Sequence, residues 1–353
     1  MIIKKVYNAD HLSTSWDLAA TSVYQKRTFL SHLEKTNFSN QRYYSLYKNE
    51  LFCAGAVVYT LKINLLTFSQ LKLPLSMQVI GLPVSNDQSG LLGNADSVNA
   101  LVSEIIEQES GIVLCLNHSQ DITIKTLIHM QSLPSMIYEV RHNDWESYMN
   151  ALRHPYRRRI KKAMTKIKAV RTSTTSCEFF TADHYHQYLE VLKRSKTKLE
   201  VMDKKFFELL PEGFKLKSYY DGDSLLFWNI TTCDNDMCHF LFGGLNYSVR
   251  DHYDSYANNL IDIIKEGIKN GCKQISLGQT AEISKSRFGA IVEPKNMFLY
   301  HRNKIIRFIF RMMRRLLSHT KFIRTHKVYK KTLVTKKVIT KNQLMEYNYA
   351  EFK

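Results

Sequence analysis

The sequence predicts a mixed α/β (α+β) fold made of two copies of one unit, with mixed sheets flanked by helices and a basic helix at the C-terminus. Three observations predict it. Two distant stretches repeat the same order of turn chemistry and hydrophobic periodicity. A basic amphipathic segment lies between them. The excess of positive charge is confined to the C-terminal segment.

The first copy opens with FLSHLEKTNFSNQRYYSLYKNELFCAGAVVYTL from Phe29, the second with FFELLPEGFKLKSYYDGDSLLFWNITT from Phe206. Each reads as the end of a short helix, a strand closing on a tyrosine, a polar turn and an apolar strand. Asp221-Gly222-Asp223 is a strong hairpin turn, because Gly and Asp tolerate the positive φ that such turns need. Lys48-Asn49-Glu50 is its weaker counterpart. The apolar patch LFCAGAVVYT suits a buried strand. In the first copy there follow a strand in SMQVIGLPV, a helix in DSVNALVSEIIEQE with Val98, Leu101, Val102 and Ile105 on one face, and a strand in GIVLCLN. In the second copy the matching pieces are MCHFLFGGLNY, YANNLIDIIKEGIKNG and CKQISLG, with Gly271 placed to end the helix. Each copy reads β-α-β-β-β-α-β. The expected units are 1–150 and 173–302, joined by a basic helix in 151–172 and followed by a tail from 303 to 353.

In the joining segment, YMNALRHPYRRRIKKAMTKIKAV, Pro155 suits the first turn of a helix. Ile160, Ala163, Met164 and Ile167 fall on one side, and Arg157, Arg158, Arg159, Lys161, Lys162, Lys166 and Lys168 supply the charge. Such a helix is either a solvated linker or a phosphate-facing surface.

The 353 residues suit two ordinary domains. A 44% apolar and 23% charged composition, with 12% aromatic residues, excludes global disorder. Thirteen Gly and six Pro leave no collagenous reading. MIIKKVYNAD has no apolar signal core, and no run approaches the ~18 apolar residues that span a bilayer, so a cytoplasmic protein is expected. Six scattered cysteines suit a reduced compartment; Cys233 and Cys238 in CDNDMC are close enough for a disulfide or a shared metal.

The formal charge is +18, and residues 301–341 hold 14 Lys or Arg with no Asp or Glu, which leaves +5 for the first 300 residues. Such asymmetry points to a polyanionic partner. In NKIIRFIFRMMRRLL, Lys304, Arg307, Arg311, Arg314 and Arg315 recur at helical spacing, with Ile305, Ile306, Ile309, Met312, Met313 and Leu316 on the other side. The pattern fits a helix on an anionic membrane surface, through residues 302–341 and on the inner membrane face. It equally fits a helix packed on the protein body, and clustered cations also suit tRNA.

The chain has no Walker loop, G-x-G-x-x-G, H-E-x-x-H, G-x-S-x-G or C-x-x-C, so no metal is expected. His184 and His186 lie two apart on a helix and so face different ways. What remains is LGQTAEISKSRFGA, from Leu277 to Ala290, read as a basic loop after a strand. It is either a solvated turn or a place to hold phosphate or a developing negative charge.

The order helix, strand, G-Q-T-A-E-I-S-K-S-R-F-G-A, strand, with GGLNY upstream and HPYRRRIKKAMTKIKAV between the copies, resembles the Fem-type and BioF-like branch of the GNAT acyltransferase superfamily. The resemblance covers most of residues 20–302. Its best motif is Lys285-x-Arg287-Phe288-Gly289-Ala290. It implies two tandem GNAT-like domains and acyl or aminoacyl transfer to an amine. The lysine ahead of Phe-Gly lies in the cleft of such proteins, and Lys285 matches it. Arg157 and Arg158 match arginines that hold phosphate of an acceptor. The usual pyrophosphate loop, R/Q-x-x-G-x-G/A, is replaced by SVRDHYDSYANN, although helix N-terminal N–H groups can still take a phosphate. The donor implied is acyl-CoA first and aminoacyl-tRNA second, and the acceptor is a small-molecule or lipid-linked amine.

Acyl transfer passes through a tetrahedral oxyanion that preorganised positive charge stabilises, a role for Lys285 with Arg287 beside it. The attacking amine must lose its proton, for which Asp251, His252 and Glu282 are the nearest titratable groups. Tyr256 either protonates the leaving group or packs. Gly243 and Gly244 either let a ligand approach backbone or form a bulge. Gln279 and Gly289, at the two ends of the loop, complete the substrate-binding candidates. The rival class is a non-catalytic module on a degenerate transferase fold that docks on membrane or RNA.

Overall fold

A computed structural model describes residues 1–37, 39–64, 66, 73–119, 122–195, 200–234, 236–319 and 326–330. The first part of the chain forms strands β1 (Ile2–Val6), β2 (Arg42–Lys48), β3 (Leu51–Asn64), β4 (Pro74–Ile80), β5 (Leu91–Gly93), β6 (Ile112–His118), β7 (Ile128–Gln131) and β8 (Ser135–Glu139). The second part forms β9 (Arg171–Ser176), β10 (Lys215–Asp221), β11 (Ser224–Asp234), β12 (Met237–Leu245), β13 (Gln274–Gln279), β14 (Ile291–Glu293) and β15 (Asn296–His301).

The internal repeat is visible in the strand order. One sheet runs β1-β2-β3-β4-β6-β15-β7, with β5 on β3, and the other runs β9-β10-β11-β12-β13-β8-β14. Each is antiparallel except at one place, β4 beside β6 and β12 beside β13, where a helix carries the chain across. The sixth position is exchanged between the sheets. β8 comes from the first part of the chain and pairs with β13 and β14, whereas β15 comes from the second and pairs with β6 and β7.

Local chemistry explains the recurring pieces. Lys48 pairs with Leu51 across a two-residue turn in which Asn49 and Glu50 both have positive φ. Asp221 pairs with Ser224 across Gly222-Asp223, with Gly222 at φ 55°. These are the tight hairpins expected from the sequence. The helix Ala95–Gln108 starts at Asn94, whose side chain accepts from Ser97 N at 3.0 Å. Its Val98, Leu101, Val102 and Ile105 pack on Tyr44, Ala54, Ala56 and Val58 of the first sheet. The helix Ser255–Lys269 buries Leu260, Ile263 and Ile264 against Cys238, Ile275 and Leu277 of the second sheet. It stops at Gly271, in the left-handed region at φ 69°. The two sheets share one core, in which Trp16, Phe29 and Val57 from the first part join Phe206, Trp228 and Ile230 from the second.

The joining helix spans His154–Lys166 with Pro155 in its first turn. Ile160 and Ala163 are buried in the cluster that holds Leu260 and Ile264, and Ala163 O accepts from Asn258 Nδ2 at 2.9 Å. All six cysteines are free, so the Cys233–Cys238 disulfide is not present, although those residues face each other across β11 and β12. Among the described residues no helix is long and apolar enough to cross a membrane.

Candidate active site

The parallel strands β12 and β13 pair only from Met237–His239 to Gln274–Ser276. Beyond that the ladder between them ends, while β12 continues on β11 and β13 continues beside β8. The gap is a cavity of about 380 Å³, lined from β12 by His239, Leu241, Phe242 and Gly243 and from β13 by Ser276, Leu277, Gly278 and Gln279. Tyr24, Ser85, Asn86 and Asp87 reach it from the first part of the chain. Tyr188, Leu192, Glu200, Tyr256 and Lys285 reach it from the second. One wall is therefore apolar and aromatic, and the floor carries ionisable groups, the usual make-up of a small-molecule site.

The segment after β13 makes the floor. Thr280 at φ 59° and Ala281 at φ 52° are consecutive non-glycine residues in the left-handed region. This is costly backbone for a β-branched residue and tends to mark functional sites. The sequence reading placed a loop here; the chain instead turns into the short helix Glu282–Ser286, because Ala281 O accepts from Ser284 N and Lys285 N at 3.0 and 3.1 Å. That turn drives Lys285 inward. Its side chain is buried, and Nζ donates to Gly278 O at 3.1 Å and Gln279 O at 2.6 Å. Burial lowers its pKa from the usual 10.5 to about 7, against the pull of Asp87 and Glu282. A lysine poised between amine and ammonium is a group that can both take and give a proton.

Asp87 is buried on the same cavity. Its carboxylate accepts from Ser276 Oγ at 2.9 Å and Gln88 Nε2 at 2.8 Å. Burial opposes its ionisation, but the hydrogen bond from Gln88, the charge of Lys295 and the bond from Ser276 outweigh it, so its pKa stays below the usual value. Glu200 accepts from Tyr59 Oη at 2.7 Å and Ser85 Oγ at 2.9 Å, and burial raises its pKa. His239 is buried edge-on to Tyr24, with its Nδ1 unpartnered among the described residues, and burial keeps it neutral.

The other candidates divide. Gln279 lines the cavity and ties it to the first part of the chain, donating to Asn117 Oδ1 at 3.1 Å and Leu133 O at 2.7 Å. Tyr256 lines the cavity and burial raises its pKa, which keeps its proton in place. Glu282 is buried beside Lys285. Arg287 is half-buried and outside the residues lining the cavity. Gly289 sits at φ 96°, where an added Cβ would lie 2.3 Å from Tyr329 Oη; its lack of a side chain answers to packing. Gly243 lines the cavity, but a Cβ there would be 2.9 Å from Trp228 O, and one on Gly244 would be 2.0 Å from Trp228 Nε1. The register shift in β11–β12 falls at Leu241, so the glycines serve the close approach to Trp228 and do not form the bulge. Asp251 is exposed and paired with Arg250 at 2.7 Å, and His252 is exposed against Tyr253. On the joining helix Arg158 is exposed and Arg157 half-buried. None of these four is among the described residues that line the cavity.

Asp87, Glu200 and His239 were missed by sequence reasoning. The only signal for Asp87 was its place in the turn-rich SNDQSG segment; Glu200 and His239 carried none. Among the described residues no group of His, Cys, Asp and Glu is placed to hold a metal ion.

This arrangement, two sheets of like strand order around a shared core with a cleft where β12 and β13 part, is similar in fold to solved structures of Fem-type proteins and lysylphosphatidylglycerol synthetases. FemX matches it with a TM-score of 0.54 at 12% identity, over 87% of this chain and all of FemX. The C-terminal domain of a putative lysylphosphatidylglycerol synthetase from Agrobacterium fabrum matches with a TM-score of 0.50 at 7% identity, over 74% of this chain and 84% of that one. L-PGS from Bacillus licheniformis matches with a TM-score of 0.50 at 9% identity, over 81% of this chain and 94% of its own. No protein-family model and no curated sequence matches the chain. At these identities the likeness is one of fold.

Proposed function

We propose that the protein transfers an acyl or aminoacyl group to an amine in the cleft between β12 and β13. The observation that carries this reading is Lys285, buried at the cleft with its pKa brought to about 7. The acceptor nitrogen attacks the donor carbonyl, the C–N bond forms, and the bond from that carbon to the leaving sulfur or oxygen breaks. Neutral Lys285 keeps two N–H groups for Gly278 O and Gln279 O and takes the proton that the acceptor must lose. As ammonium it faces the oxyanion and returns the proton to the leaving group. Asp87, ionised and buried, suits the ammonium of an amine substrate before it is deprotonated.

The sequence put acyl-CoA first as donor. The helix N-terminus that would face its pyrophosphate carries Asp251 and Asp254, the latter paired with Lys166 at 3.1 Å. With Asp251 likewise paired to Arg250 at 2.7 Å, the cations at that helix N-terminus are already engaged, so we place an aminoacyl ester such as aminoacyl-tRNA ahead of acyl-CoA. The test is turnover with each donor class by wild type and Lys285→Met. A catalytic lysine predicts a loss of roughly 10²–10⁴-fold in kcat with donor binding retained. Undiminished turnover by the variant removes Lys285 from the mechanism. Absence of turnover with every donor leaves the non-catalytic module as the better reading.

A further inference from the structure

The helix Lys304–Met312 and the turn Arg314–Leu317 that follows it carry three distinct faces. Asn303 caps the helix, its Oδ1 accepting from Ile305 N at 2.8 Å. Ile306, Phe310, Met313 and Leu317 turn inward and join Met130, Met297 and Leu299 of β7 and β15 in one cluster. This is the packing on the protein body that the sequence left open, and it accounts for only part of the apolar residues. Ile305, Phe308, Ile309, Met312 and Leu316 lie outward at spacings of three and four, with Ile305 71%, Phe308 63% and Met312 72% exposed. Lys304, Arg311, Arg314 and Arg315 form the third face; all are exposed, and none makes an ion pair among the described residues.

Scattered exposed apolar residues are ordinary, but a continuous stripe of five is not. Here the stripe is bordered by cations that have no counter-ion among the described residues. A surface that takes apolar side chains to a shallow depth while setting negative charge beside them is an anionic bilayer. We infer that this face docks the protein on an anionic membrane surface, with Ile305, Phe308, Ile309, Met312 and Leu316 in the acyl boundary and Lys304, Arg311 and Arg315 at the headgroups. The inference stands apart from the transferase reading, since it uses none of the cleft residues.

The test is co-sedimentation of the full chain with vesicles of phosphatidylcholine alone and of phosphatidylcholine mixed equally with phosphatidylglycerol. Wild type should bind the mixed vesicles, bind the neutral ones weakly, and lose binding as salt rises. The variant R311Q/R315Q, changed at exposed positions, should bind the mixed vesicles about 30-fold more weakly, at roughly fivefold per charge. Phe308→Asp with Met312→Asp should abolish binding while thermal unfolding stays that of wild type. If the second variant unfolds, the charge variant alone decides. Equal binding to both vesicle types, no binding to either, or wild-type binding by R311Q/R315Q overturns the inference. So does binding of tRNA with no binding of vesicles, which would assign the cations to nucleic acid.

Discussion

Replacing Lys285 by Met should make the protein more stable at neutral pH, and by a pH-dependent amount. The side chain is 3% exposed, and among the described residues its Nζ donates to the carbonyls of Gly278 and Gln279. Its pKa falls from the usual 10.5 to about 7 on folding. At about 1.36 kcal/mol per pH unit that is roughly 5 kcal/mol of preference for the neutral amine. The unfolded chain holds the proton up to 10.5, so the penalty is complete below pH 7 and disappears as pH rises toward 10.5. Met keeps the length and removes the penalty, but strands two carbonyls, at a cost of about 1–3 kcal/mol. The variant should therefore gain roughly 2 kcal/mol at pH 7. Near pH 9.5, where the penalty has shrunk to roughly 1 kcal/mol, it should have no advantage. Urea unfolding at the two pH values reads this directly. A variant less stable than wild type at neutral pH, or a difference that does not change with pH, would falsify the account of Lys285 as a strained, near-neutral amine. Retention of such a group makes sense where chemistry needs it.

Three further outcomes are expected. Gly289→Ala should lower the urea midpoint by an amount corresponding to about 1–3 kcal/mol, because it combines φ 96° with a Cβ 2.3 Å from Tyr329 Oη; an unchanged midpoint would show that Tyr329 yields. Glu109 is buried with Arg42, Tyr44 and Lys5; burial opposes its charge, but the Arg42 and Tyr44 hydrogen bonds and both cations hold its pKa at about 2. Glu109→Gln should cost about 3 kcal/mol at neutral pH, and the difference should shrink as pH falls from 4.5 toward 2, which acid titration of both proteins by circular dichroism measures. Cys233, exposed and lowered to about 7 by hydrogen bonding from Cys238 and Cys272, should be alkylated first of the six cysteines; peptide mass spectrometry that finds another cysteine ahead of it rejects this.

Much of the fold is legible in short-range patterns. The hairpins at Asn49 and Gly222, the start of the joining helix at Pro155 and the end of the helix Ser255–Lys269 at Gly271 all follow from backbone preferences that neighbouring residues set. Lys285 and Gln279 were legible because they share one strand-to-helix segment. Asp87 was not, because it meets Ser276 only when two remote segments come together. Asp251 and His252 were chosen for closeness in sequence, yet the turn that holds them points them into water. The tail helix was legible as amphipathic, but the division of its apolar residues between an inward and an outward face depends on where β7 and β15 lie.

The exchanged strands govern how the molecule can be assembled. Among the described strands, β7 pairs only with β15, and β14 only with β8. The first sheet therefore stays open during synthesis until nearly all of the second part has emerged from the ribosome. An N-terminal half made alone would present the edges of β6 and β7 as unpaired templates, a recipe for aggregation. The non-local pairing also predicts slow final closure, since the loop entropy must be met before the contacts reward it. The chain thus has the form of a strand-swapped pair held in one polypeptide, and neither part alone holds every strand of its sheet.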